Sequence, residues 1–209
     1  MFLRHWSSIA ALALASLLSA CSAGRESAGF IDPRLMGAYI PLSSGGLLSH
    51  WGAAFTIAPN VAVTNDHNLN FIPADAVLAR SRDYDLLFFR PLSGTPTATT
   101  RPRTGEEVIA YGQGASDDLR EARGKVTALN QYVPPRCSGC AVQRALVFAA
   151  DAGGGFSGGP VVDARTGAVV GITFGYLDGR DGTPGRRMYA YDIDLVLSEM
   201  RRLLPMGPR

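Results

Sequence analysis

Apolar residues along this chain recur in short runs cut off by turn residues, a pattern of strands rather than of helices. Runs at 53–58, 61–64, 76–79, 86–89, 108–111, 125–129, 145–149, 161–163 and 169–174 predict short strands joined by glycine-rich turns, with Pro59-Asn60 as the first turn signal. So many short strands indicate an all-β sandwich or barrel. Between 92 and 105 the chain turns to Ser, Gly, Thr, Pro and Arg with no apolar period, which separates a smaller first group of strands from a larger second one. One helix is expected, at the end of the chain. Ile193, Val196, Leu197, Met200, Leu203 and Leu204 share one helical face, Asp192 or Asp194 is placed to cap it, and Pro205 to stop it. The expected organisation is a leader over 1–20, a tether over 21–36, a first β unit over 37–92, a linker over 93–103, a second β unit over 104–190 and a helix over 191–205.

The leader is read from an apolar run at 9–18 behind Arg4 and His5, too short to span a bilayer and ending in small residues. Its end, Leu18-Ser19-Ala20-Cys21, resembles the bacterial lipobox. That resemblance implies acylation of Cys21 and a protein held on the membrane of the cell envelope by lipid; an ordinary signal peptide with an incidental cysteine is the alternative. Ser22 is not the aspartate that commonly retains lipoproteins in the inner membrane, which favours an outer-membrane anchor facing the periplasm. In an oxidising compartment Cys137 and Cys140 are close enough to form a short-loop disulfide. A zinc site would need two more ligands nearby, and a redox Cys-x-x-Cys would open a helix, whereas Pro134-Pro135 and Gly139 point to a hairpin tip.

Composition narrows the function. With 46% hydrophobic residues, 18% charged residues and 24 glycines, the 209-residue chain is globular and turn-rich. Its net charge of +2 comes from basic residues scattered as pairs such as Arg101 with Arg103, so no electrostatic case for nucleic acid exists.

The sharpest chemical signal is Gly153-Gly154-Gly155-Phe156-Ser157-Gly158-Gly159-Pro160, a lone serine among glycines that allow backbone to approach backbone, as an exposed nucleophile requires. This segment resembles the active-serine motif of the trypsin-like (chymotrypsin-fold) serine peptidases, Gly-Asp-Ser-Gly-Gly-Pro, and its bacterial non-zymogen variants. Two further segments are similar to that family. Phe55 to His67 resembles its strand, turn and strand ending in Thr-Ala-Ala-His, and Asp85-Leu86-Leu87-Phe88-Phe89 resembles its Asp-Leu-Ala-Leu-Leu strand. The order His, Asp, Ser is also the family's. The resemblance implies two β-barrels of chymotrypsin type with a C-terminal α-helix, and a serine endopeptidase that needs no metal or cofactor and acts on extended polypeptides. It implies His67 as base, Asp85 as its orienting acid, Ser157 as nucleophile, and the N–H groups of Gly155 and Ser157 as the oxyanion hole. Asp83 is the competitor of Asp85, but the apolar run begins directly after Asp85. His50, beside Trp51, is expected to be structural.

Gly155-Phe156-Ser157-Gly158-Gly159 also satisfies the Gly-x-Ser-x-Gly elbow of α/β-hydrolases. Those enzymes place histidine after serine, and no histidine follows Ser157. Phe156 departs from the peptidase family, because zymogen-derived trypsins have there an aspartate that pairs with a newly freed N-terminal amine. Activation by N-terminal cleavage is therefore not expected, and packing must shape the oxyanion loop. Asp151 stands where trypsins carry the aspartate that selects Arg or Lys, although bacterial relatives often have it without that selectivity. Thr173-Phe174-Gly175 resembles the edge segment that pairs with substrate by strand addition. A catalytically silent, lipid-anchored binding module on the same fold is the rival function.

Overall fold

The computed structural model describes residues 31–44, 50–114, 118–133, 143–177 and 186–204. Cys21, Cys137 and Cys140 lie outside them. Among the described residues eleven strands form two units: β1 (Tyr39–Ser43), β2 (Trp51–Ala58), β3 (Val61–Thr64), β4 (Val77–Arg80) and β5 (Leu87–Phe89) in the first, and β6 (Glu107–Gln113), β7 (Leu119–Val133), β8 (Gln143–Ala150), β9 (Pro160–Asp163), β10 (Val169–Leu177) and β11 (Arg186–Asp192) in the second. The first unit is an antiparallel sheet of order β1-β2-β3-β5-β4, and the second is a closed barrel of order β10-β11-β8-β7-β6-β9. Helix α1 (Ile193–Leu203) follows directly and packs on β10 and β11. This is the all-β, chymotrypsin-type architecture with a C-terminal helix.

Each predicted run lies in or across an observed strand, while β1 and β11 were not predicted from the sequence. Both are poor in the signals that mark strands. β1, Tyr-Ile-Pro-Leu-Ser, carries a proline that a sheet tolerates at its edge, where β1 lies. β11 opens with two arginines and then buries four residues in succession instead of alternating. β7 is far longer than its predicted core, and register shifts around Ala128, with Asn130 at φ 55°, bend it around the barrel.

A single core cluster joins the units. Phe55, Val63, Leu86 and Phe88 of the first pack with Ile109, Val162, Ile172, Phe174 and Tyr191 of the second and with Ile193 and Val196 of α1. Asp192 caps α1 by accepting a hydrogen bond from Asp194 N at 2.8 Å. Between the units Thr99 bridges Val169 in parallel, with Thr100 N donating to Val169 O and Val169 N to Ala98 O.

Candidate active site

The antiparallel register of β3 and β5 sets Thr64 opposite Leu87, so residues just after β3 meet residues just before β5. His67 is the second residue of the 3-10 turn Asp66–Phe71 that follows β3, and Asp85 is two residues ahead of β5. His67 Nδ1 is 2.6 Å from Asp85 Oδ2, and His67 N donates to Asp85 Oδ1 at 3.0 Å. A carboxylate only accepts, so the proton of a neutral ring sits on Nδ1 and leaves Nε2 as an acceptor. Nε2 has no hydrogen-bond partner among the described residues, and the side chain is about half exposed at 48%, whereas that of Asp85 is 4% exposed. The backbone of Asp85 is held from both sides. Asn65 Nδ2 donates to Asp85 O at 3.0 Å, and Asp85 N donates to the hydroxyl of Tyr191, which donates in turn to Gln143 Oε1 at 2.7 Å. Burial raises the Tyr191 hydroxyl pKa well above its ordinary value, so it remains a proton donor.

The loop carrying Asp85 is also clamped by α1. Ser81 Oγ donates to the buried Glu199 at 2.6 Å while accepting from Asp83 N and Tyr84 N. Arg202 bonds Glu199 and reaches Asp83 at 3.3 Å. The hydrogen bond from Arg202 is the main cause that holds the Glu199 carboxyl below the usual glutamate range, outweighing its burial. Asp83 thus faces the helix, and Asp85 faces the histidine.

Ser157 arrives from the second unit, in the loop that leads into β9. Phe156 N donates to Gly153 O at 3.3 Å, and Gly155, at the third position of that turn, has φ 89°. A closing bond from fourth residue to first with positive φ at the third marks a type II turn. A Cβ on Gly155 would lie 1.9 Å from Gln113 O, so the position excludes side chains by space as well as by conformation. Phe156 is 1% exposed and packs against Gly112 in the barrel core. Burial of such a ring contributes about 1.5–3 kcal/mol, and no ion pair is needed to hold the turn. Gly155 N and Ser157 N have no acceptor among the described residues.

The two units are stitched together at the serine itself. Ala53 N donates to Ser157 O at 2.9 Å and Asn68 Nδ2 donates to the same oxygen at 3.1 Å. Asn68, the residue after His67, also donates to Thr64 Oγ1, which donates to Ala53 O. Gly158, at φ 81°, permits this approach, since a Cβ there would stand 2.1 Å from Ala53 O. The histidine turn and the serine turn therefore share hydrogen bonds.

Thr173 is bound to the serine loop on both sides, with Gly158 N donating to Thr173 O and Thr173 N to Gly159 O. Pairing of β10 with β9 ends at Ile172, while pairing with β11 continues to Leu177, so one edge of 174–177 is open among the described residues. Phe174 contributes backbone only, because its ring is buried and stacked 4.3 Å from that of Tyr191. Asp151 is partly exposed just after β8. Next to it a cation intrudes: Arg186 Nη1 donates to Ala152 O at 3.0 Å and the guanidinium lies 4.8 Å over the Tyr176 ring. Asn68, Ser81, Gln143, Tyr191 and Glu199 escaped the sequence reading, since their roles depend on contacts across 4 to 118 positions of sequence. Among the described residues no group of three or more His, Cys, Asp or Glu side chains is arranged to hold a metal ion.

The family model described as a trypsin-like peptidase domain matches residues 52–172, more than half of the chain. The protein therefore belongs to the trypsin-like peptidases, and its class is that of serine-type endopeptidases. No curated protein matches it. Among solved structures it resembles the Rv3671c protease of M. tuberculosis in its active form, with TM-score 0.67 and 18% identity over 90% of this chain and 91% of that one. It also resembles the MamO protease domain from Magnetospirillum magneticum, with TM-score 0.64 and 16% identity over 79% of this chain and 97% of that one. The HtrA-type protease AlgW, solved with a tripeptide, gives TM-score 0.66 and 21% identity over 82% of this chain but only 61% of its own. At such identities these likenesses establish the fold.

Proposed function

We propose that this protein hydrolyses peptide bonds through an acyl-enzyme on Ser157, with His67 as the base and Asp85 as its orienting acid. The observation that carries the reading is the bidentate hold of Asp85 on His67, in a turn hydrogen-bonded through Asn68 to Ser157 O. Ser157 Oγ attacks the scissile carbonyl as its proton passes to His67 Nε2. The imidazolium, stabilised by Asp85, then gives that proton to the leaving amine. The oxyanion formed at the carbonyl takes the N–H groups of Gly155, within the type II turn, and of Ser157, directly after it. Water repeats the sequence on the ester and releases the acid. An extended substrate pairs with the open edge at 174–177, reading backbone rather than side chains. Arg186 beside Ala152 argues against a simple tryptic pocket around Asp151, because a guanidinium already occupies that neighbourhood.

The lipobox-like Leu18-Ser19-Ala20-Cys21 supports a lipid anchor at Cys21, placing the peptidase on the periplasmic face of a bacterial outer membrane, with a Cys137–Cys140 disulfide. Mass spectrometry of the protein incubated with a peptide library tests the catalytic reading. Cleavage that disappears in Asp85→Asn is expected, and a folded protein that cleaves nothing would leave a peptide-binding role. Incorporation of labelled palmitate that requires Cys21 tests the anchor.

A further inference from the structure

The loop carrying Ser157 leads into β9, and β9 has β10 on one flank and β6 on the other. A substrate that pairs its acyl portion with the open edge of β10 must, beyond Ser157, leave over the β6 side. There lies a cavity of about 270 Å³, walled by the oxyanion turn at Gly154 and Gly155, the β6 end at Gln113, and His50, Trp51 and Arg120. His50 is exposed, and its backbone is fastened to Ser44 by two hydrogen bonds, so its imidazole stands at the rim rather than in the core. Arg120 Nε donates to Asp118 Oδ2 at 2.8 Å, which orients the guanidinium. Its side chain is 27% exposed, and its remaining N–H groups have no partner among the described residues.

We infer that this cavity is a subsite for a carboxylate on the leaving-group side of the scissile bond. An oriented guanidinium with unused donors matches a carboxylate in charge and in fork geometry. Trp51 supplies an apolar wall for the methylene carbons of such a side chain, and His50 a second donor at the rim. The inference rests on the peptidase reading of Ser157 and adds the substrate class: polypeptides with an acidic residue, or a chain-terminal carboxylate, within the first three positions after the cleaved bond. Binding there acts on the part of the substrate expelled in acylation, so it raises kcat/KM for acylation and leaves deacylation alone.

The test is a set of fluorogenic peptides sharing one acyl portion and carrying Glu, Gln or Lys at the first, second or third position after the scissile bond, each with a free or an amidated terminus. At one position Glu is expected to exceed Gln by about tenfold in kcat/KM, with Lys below both. A preference for Glu over Gln that persists on amidation assigns the side chain as the ligand; a drop in kcat/KM on amidation that the Glu and Gln peptides share assigns the terminal carboxylate. In the double variant Asp118→Asn with Arg120→Gln, which removes both partners of the ion pair, the Glu and Gln peptides should converge while turnover of the Gln peptide is retained. Equal cleavage of the Glu, Gln and Lys peptides by the unaltered protein, with no loss on amidation, would overturn the subsite and leave the peptidase standing. Absence of cleavage together with absence of fluorophosphonate labelling at Ser157 would remove the peptidase reading and the subsite with it.

Discussion

The two halves of the site are held by different physics. On the histidine side polar groups do the positioning: Asp85 meets His67 twice, Asn65 and Tyr191 fix the Asp85 backbone, and Gln143 orients Tyr191. On the serine side the turn is set by shape, through Gly155 against Gln113 and the buried Phe156 against Gly112. A polar network preserves the protonation and direction of a ring whose function depends on them, while a packed turn keeps backbone N–H groups pointed at a place where charge will form. Damage on the two sides should therefore differ in kind.

The largest effect is expected from the reacting groups. Ser157→Ala or His67→Ala should lower kcat by about 10⁶, and Asp85→Asn, which leaves the ring room to take the wrong tautomer, by about 10⁴. Circular dichroism and the denaturant midpoint of each variant separate lost turnover from lost folding. Next comes the serine turn, where Gly155→Ala should cost about 10²–10³ in kcat by spoiling a donor, with KM for a short peptide little changed. Phe156→Ala should instead unfold the turn and destabilise the domain by about 3–5 kcal/mol, read from a denaturant midpoint. If Phe156→Ala lost activity without stability, the contrast between the halves would fail. Tyr191→Phe leaves Asp85 N and Gln143 without a buried partner and should cost about 1–3 kcal/mol in the same assay.

The smallest effect concerns the clamp from α1. The Glu199 carboxyl titrates below the ordinary glutamate range in the folded protein, so its contribution is present above about pH 4.3, the value in an unfolded chain, and is lost as the pH falls toward the folded value. Glu199→Gln should flatten the acid limb of the stability profile and leave the alkaline limb unchanged, as thermal melts across pH would record.

The same division explains what the sequence disclosed. His67, Asp85 and Ser157 could be singled out because each lies in a local motif, and nine strands because apolar runs and turn residues are local patterns as well. Asp83 and Asp85 were separated by where the apolar run begins, and the structure sets the first against Arg202 and the second against His67. Tyr191 and Gln143 carried no such signal. They are polar residues in barrel strands, and only closure of the barrel and its packing against the first sheet bring them to Asp85. Phe156 was legible as a departure, but not as its own remedy, until its burial against Gly112 showed what replaces the ion pair. β1 and β11 were hidden because a proline at an edge and a pair of arginines obscure alternation.

The most direct test of the account is labelling of the soluble form, residues 22–209, with a fluorophosphonate near pH 8, the adduct being located by peptide mass spectrometry. A working triad gives stoichiometric modification of Ser157 that disappears in His67→Ala. A folded protein left unmodified, or modified equally well without His67, would contradict it.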